Sequence, residues 1–157
     1  MKVKFFVLGK TAFPDIKMGE DRYATRLQHY CSFERVEIPD VKNPKALSQD
    51  QLKKKEGELI LSKVSPTDYL VLMDENGQQY TSVDFAQWLE KKQMSISGNI
   101  LFVIGGAYGF SDVVYERANA KISLSKMTFS HQMVRMIFLE QLYRAYTILK
   151  GEPYHHS

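Results

Sequence analysis

Residues 100–110 read Ile-Leu-Phe-Val-Ile-Gly-Gly-Ala-Tyr-Gly-Phe, and this stretch decides the fold. Five consecutive apolar residues, mostly β-branched or aromatic, predict a strand buried on both faces, as in the middle of a parallel sheet. The strand stops at Gly105-Gly106, and Gly109 follows. Where there is no Cβ, the backbone can turn sharply and a flat or charged molecule can approach the peptide groups. Ligands of open α/β sheets sit beyond the carboxyl ends of strands, so Gly105–Gly109 are candidates for a small-molecule pocket. A plain strand-to-helix turn has the same spacing.

The segments on either side repeat the strand-helix alternation. Val3, Phe5 and Val7 begin a first strand closed by Gly9. Pro14 opens a helix with Tyr23, Leu27 and Tyr30 on one face. Val36 and Ile38 alternate with charged Arg35 and Glu37, as in a partly exposed strand. Ser48 and Gln51 have capping-box spacing before a helix carrying Leu52, Leu59, Ile60 and Val64. Tyr69–Met73 is a third apolar strand, and Asp74-Glu75-Asn76-Gly77 predicts a turn. Ser82 is placed to cap a helix bearing Phe85, Trp88 and Leu89, and Ser111 to cap a short helix through Val114 and Tyr115. Lys121–Leu124 is a short fifth strand, and Ser130–Lys150 the longest helix, ended by Gly151 and Pro153. Five strands alternating with five helices predict a single α/β domain over residues 1–157, with a mostly parallel sheet and helices on both faces. The last helix is apolar around much of its circumference, which predicts a second buried surface, most simply in a homodimer.

Composition narrows the functional classes. The 157 residues are 44% hydrophobic and 25% charged, ordinary for a globular domain. A net charge of +3 permits an anionic partner without demanding one. Cys31 is the sole cysteine, so no internal disulfide can form, and a reducing, cytoplasmic setting is expected. No stretch approaches the roughly 20 apolar residues of a membrane span. The glycines do not spell G-x-G-x-x-G, no phosphate-binding G-x-x-x-x-G-K-[ST] loop occurs, and there is no G-x-S-x-G elbow. His29 and Cys31 do not face each other on a helix. His155-His156 have no accompanying cysteine or carboxylate cluster, so no metal site is expected.

What remains lies in the last third. Ile104-Gly105-Gly106-Ala107-Tyr108-Gly109, Leu124-Ser125-Lys126-Met127-Thr128-Phe129, Ser130-His131-Gln132-Met133-Val134-Arg135, Glu140-Gln141-Leu142-Tyr143-Arg144-Ala145 and Pro153-Tyr154-His155 stand in this order. With these motifs the sequence resembles the ribosomal RNA large subunit methyltransferase H family, a small bacterial branch of the SPOUT methyltransferases. Length and element order agree over the whole chain, and the motifs are specific in its C-terminal third. The resemblance implies a C-terminal trefoil knot, which physical rules of chain connection would not anticipate. It also implies S-adenosylmethionine as cofactor, a homodimer, and methylation of N3 of a pseudouridine in 23S ribosomal RNA on the assembled ribosome. Carried over by motif, the cofactor contacts fall on Met73, Gly105, Leu124, Ser125, Lys126, Met127, Thr128 and Phe129.

These residue types suit the roles the resemblance gives them. Adenine is flat with apolar faces and fits a slot walled by Met73, Leu124, Met127 and Phe129, its edge read by loop N–H and C=O groups. Met73 stands where members of the family often have leucine, a nearly volume-neutral exchange. The protein must hold nucleophile and methyl carbon in line, positioning worth about 7–11 kcal/mol, and must favour the deprotonated imide. Arg144 is the candidate to stabilise that anion; Tyr154 and His155 are candidates to position the base or accept its proton. Glu140, four residues before Arg144, offers a purely structural ion pair instead. Lys126, Arg135 and Lys53–Lys55 are the candidate RNA contacts. Two other readings compete with the enzyme on ribosomal RNA. One is a non-catalytic ribosome- or RNA-binding module that retains the fold. The other is a SPOUT enzyme for transfer RNA, although the chain has little room for an added RNA-binding segment.

Overall fold

The computed structural model describes residues 1–156. Its elements are β1 (Lys2–Leu8), α1 (Pro14–Leu27), β2 (Ser32–Ile38), α2 (Gln49–Leu61), β3 (Tyr69–Gln79), α3 (Ser82–Ser95), β4 (Ile100–Ile104), α4 (Asp112–Arg117), β5 (Ala120–Ser123) and α5 (Met133–Leu149), with single 3₁₀ turns at Pro44–Ala46 and Pro153–His155. The strands form one sheet in the order β2-β1-β4-β3-β5, every pairing parallel. The decisive stretch becomes β4, all five of its residues buried, between β1 and β3. Beyond β4 the chain passes through α4 to the far side of β3, where β5 adds the edge strand.

Alternation along the strands splits the core into two layers. Phe5 and Val7 of β1, Val71 of β3 and Phe102 of β4 face α1, α3 and α5. Phe6, Leu8, Leu70, Leu72, Leu101 and Val103 face the opposite way, against Ile60 of α2 and Val114 of α4. Aromatic contacts knit the larger layer: Phe138 of α5 lies 5.3 Å from Phe5 and 4.9 Å from Phe102, centroid to centroid. Such pairs contribute about 0.5–1.5 kcal/mol each beyond the area they bury.

Helix starts follow local chemistry. Ser48 accepts from the N–H of Gln51, and Gln51 returns the bond to the Ser48 N–H, completing the anticipated capping box. Thr81, not Ser82, caps α3 by accepting from the N–H of Asp84. The Ser82 hydroxyl instead donates to Gln141 of α5. Ser111 precedes α4 without a side-chain cap. The final helix begins at Met133, three residues later than its apolar period suggests, because residues 130–132 belong to the loop that approaches the cleft.

One expectation is corrected. The four residues Asp74–Gly77 do not end β3 in a turn: both Met73 and Gln78 stand opposite Ile122, so these four residues bulge out of a strand that resumes pairing with β5. The Asn76 N–H donates to Asp74 Oδ1, which is the local Asx bond that the turn signal reflects. Gly77 is required there, since a Cβ would come within 2.6 Å of the Ile122 backbone nitrogen. Much of the apolar circumference of α5 packs inside the protomer. The helix packs on the sheet and is flanked by α1 and α3, so its breadth alone does not require a partner.

Candidate active site

The carboxyl ends of β3, β4 and β5 open into one cleft of about 380 Å³, within the range of small-molecule sites. Met73 and the Asp74–Asn76 bulge form one wall, Gly105–Phe110 another, and Ser123–Ser125 with Met127–Phe129 a third; His131 and Val134 close it from the start of α5. The structure thus brings Met73, Gly105, Leu124, Ser125, Met127, Thr128 and Phe129 around one space, while Lys126 is exposed and does not line it. Gly109 adopts φ +85°, a left-handed turn that folds Gly105–Gly109 back so that the Gly109 N–H donates to Gly106.

The charge in the cleft is acidic. Its charged lining consists of Asp74 and Glu75; among the described residues no Lys or Arg lines it, although the chain as a whole carries +3. Tyr115 of α4 donates to Asp74 Oδ2, and Thr128 donates to Glu75 Oε2 at 3.2 Å, so the acidic bulge is tied to two other walls. Burial raises the Tyr115 hydroxyl to about 12, and the bond to Asp74 adds to the shift, so it stays a donor at neutral pH. Polyphosphate ligands are disfavoured here by like charge. A flat, apolar-faced molecule carrying positive charge suits these walls better. These acids read in the sequence only as a turn, and nothing in their spacing marks them as cleft residues.

A second cluster forms at the other end of α5. Glu140 accepts from Arg144 Nη2 at 2.8 Å and Nε at 3.4 Å, from the Tyr154 hydroxyl at 2.8 Å and from Gln141 Nε2 at 3.0 Å. The Arg144 guanidinium lies 4.8 Å over the Tyr154 ring, and its Nη1 reaches His155 Nδ1 at 3.0 Å. The Glu140 bond raises the pKa of Arg144. Burial and then the bond to Glu140 raise that of Tyr154, whose proton is therefore held at physiological pH. The tail is an ordered 3₁₀ turn: the Gly151 φ of +69° reverses the chain after α5, and Tyr30, in the turn after α1, donates to the Glu152 carboxylate at 2.9 Å. Arg144 thus makes the structural ion pair with Glu140 and also contacts both tail candidates.

The two clusters do not meet within one chain. Val134 lines the cleft and Arg144 is ten residues further along the same helix, about 15 Å at 1.5 Å per residue. Exposed apolar side chains border α1 and the start of α5, including Phe13, Met18 and Met133. Arg135 cannot contact RNA as its position suggested, because it is 1% exposed, and Lys53 is partly engaged by Asp50 at 3.6 Å.

A family model described as "Predicted SPOUT methyltransferase" matches residues 1–155. The chain belongs to the SPOUT methyltransferase family. Curated relatives named "Ribosomal RNA large subunit methyltransferase H" match at full length. That of Cytophaga hutchinsonii is 56% identical over 156 residues, 99% of this chain and all of the relative; that of Parabacteroides distasonis is 55% identical over 157 residues, all of both chains. The branch read from the C-terminal motifs is therefore the right one. The crystal structure of a probable methyltransferase from Bordetella pertussis Tohama I shares the fold, with a TM-score of 0.53 at 12% identity over 92% of this chain and 93% of the other. Among the described residues no helix is long and apolar enough to cross a membrane, and no group of three His, Cys, Asp or Glu side chains could hold a metal.

Proposed function

We propose that this SPOUT protein uses S-adenosylmethionine to methylate N3 of a pseudouridine in 23S ribosomal RNA, acting in the cytoplasm on the assembled ribosome. The methyltransferase family and the full-length relatives support ribosomal RNA methylation, and the observation that carries the cofactor reading is the acidic, apolar-walled cleft. Bound there, S-adenosylmethionine supplies a methyl group already activated on a cationic sulfur. Met73, Leu124, Met127 and Phe129 hold the flat ring, loop peptide groups read its edge, and Asp74 and Glu75 favour the positive charge. Arg144 stabilises negative charge on the target base, with Tyr154 and His155 beside it. The connections from β4 to β5 and from β5 to α5 are where the implied trefoil knot would lie.

The separation of about 15 Å along α5 supports a homodimer in which the tail of one chain serves the cleft of the other. Such a two-fold arrangement buries the same surface on both subunits, and Phe13, Met18 and Met133 offer apolar surface for it.

Tritiated S-adenosylmethionine tests the assignment, using ribosomes, separated subunits and naked large-subunit RNA from a strain lacking the gene. Label on assembled ribosomes alone, at one pseudouridine, is the expected result. Label on naked RNA or transfer RNA moves the target, and cofactor binding without any labelling favours an RNA-binding module.

The charge argument has its own test. Glu75→Gln is expected to weaken S-adenosylmethionine binding about two- to fivefold at low salt, the size of an exposed charge interaction. Binding of S-adenosylhomocysteine, which lacks the sulfonium charge, should change little. Calorimetry of both ligands at two salt concentrations measures the difference. Equal losses for the two ligands would show that Glu75 acts through shape instead.

A further inference from the structure

One hydrogen bond in the tail cluster fixes the position of a proton. Arg144 Nη1 lies 3.0 Å from His155 Nδ1. A guanidinium has five donors and no acceptor, so Arg144 donates and Nδ1 must accept with its lone pair. A neutral imidazole in that pose carries its single proton on Nε2. The guanidinium is not free to swing away, because Glu140 grips it through Nε and Nη2 and the Tyr154 ring lies against its face. The His155 backbone is held as well, by the 3₁₀ turn and by the bond from Tyr30 to Glu152 just before it. Nε2 has no hydrogen-bond partner among the described residues.

The neighbouring groups have no proton-accepting capacity to spare. Glu140 Oε1 accepts from Gln141 and from Arg144 Nε, and Oε2 accepts from Arg144 Nη2 and Tyr154. All four lone-pair positions of its carboxylate are occupied. The Tyr154 hydroxyl spends its proton on that carboxylate. The cluster therefore presents donors outward.

We propose that His155 is a hydrogen-bond donor to the target base and not its proton acceptor: Nε2–H binds a carbonyl oxygen next to the imide nitrogen. The proposal rests on the methyltransferase reading above and names the contact made to its substrate class, a pyrimidine whose N–H lies between two carbonyls. When that N–H ionises, its proton leaves to water and the electron pair stays on the ring, delocalised onto the flanking oxygens. A donor fixed at one of those oxygens binds the anion more strongly than the neutral ring, which is stabilisation placed where charge develops. His155 itself neither gains nor loses a proton.

Two measurements on the full-length protein test this. A glutamine amide at position 155 can put an N–H where Nε2 stands, whereas an asparagine amide reaches only the Nδ1 position. His155→Gln is expected to keep turnover within about tenfold of the parent, while His155→Asn and His155→Ala lose about 100-fold or more. Long-range proton–nitrogen NMR of the ¹⁵N-histidine-labelled protein at pH 8 reads the tautomer directly, with His155 assigned by its loss in His155→Gln. The Nε2–H form is expected, becoming a mixture of tautomers in Arg144→Met. An Nδ1–H form in an active parent, or His155→Gln as inactive as His155→Ala, overturns the donor role alone. A parent inactive on every ribosomal substrate overturns the proposal together with the reading it rests on.

Discussion

Arg144→Ala is expected to lower methylation turnover by about 10²–10³-fold, the usual cost of removing one preorganised group from a developing anion. The dissociation constant for S-adenosylmethionine should stay within about twofold of the parent value, because Arg144 does not line the cofactor cleft. Single-turnover methylation of ribosomes, set beside calorimetry with the cofactor alone, separates the two effects. Arg144→Lys keeps a charge but loses the fork that joins Glu140 to His155, and should recover little. If turnover and cofactor affinity fall together in Arg144→Ala, the residue maintains the fold of the tail and does not serve the chemistry.

The same variant can report whether the site is shared. Leu124→Arg, which places charge in the adenine slot, should abolish cofactor binding in its own cleft. Random reassociation of equal amounts of the two variants makes about half of the dimers mixed. If the tail of one chain completes the cleft of the other, each mixed dimer holds one intact site. About a quarter of the parental sites then return. Sites built within one chain give no recovery at any mixing ratio.

The sequence is informative where one residue type has one physical use. The apolar run at 100–104 has no stable place except a central strand, and Ser48 with Gln51 has little use other than a capping box. Both are found where the pattern puts them. Gly105 is legible from the glycines at the end of the apolar strand, whereas the Leu124–Phe129 loop is legible only through family motifs, since Leu124, Met127 and Phe129 read equally well as core. The bulge at Asp74–Gly77 was opaque for a different reason. An Asx bond from Asp74 looks the same in a turn and in a strand excursion, and the distinction depends on Ile122, about fifty residues away. Arg135 was misread because position on a helix says nothing about what caps the neighbouring strand. The carbonyls that bury it belong to Leu8 and Gly9, at the opposite end of the chain.

That burial makes Arg135→Ala the substitution expected to cost the fold most among those discussed. The guanidinium donates to Leu8 O at 2.6 Å and to Gly9 O at 2.9 Å, capping the end of β1, and to Thr11 at 3.2 Å and His131 O at 3.3 Å. Thr11 in turn donates to Glu20, which is fully buried, and Arg35 stands 3.5 Å from the same carboxylate. Burial lowers the pKa of Arg135, and the nearby Glu20 charge opposes that shift, so the two support each other across Thr11. Truncation leaves two carbonyls without donors and a buried carboxylate with less compensation, a loss of about 3–5 kcal/mol. For a chain of this size that is a fall of about 6–20 °C in melting temperature. Arg135→Met fills the volume but donates nothing, and should recover only the packing share of the loss. Thermal denaturation of the two variants therefore divides the effect into its polar and packing parts. His131, whose carbonyl Arg135 holds, lines the cleft, so a variant that still folds should also bind cofactor more weakly. Unchanged melting in Arg135→Ala would mean that water satisfies the end of β1, and that the bonds of Thr11 to Glu20 and Arg35 and of Gln132 to Lys10 and Ala12 suffice to hold the loop from Gly9 to Phe13.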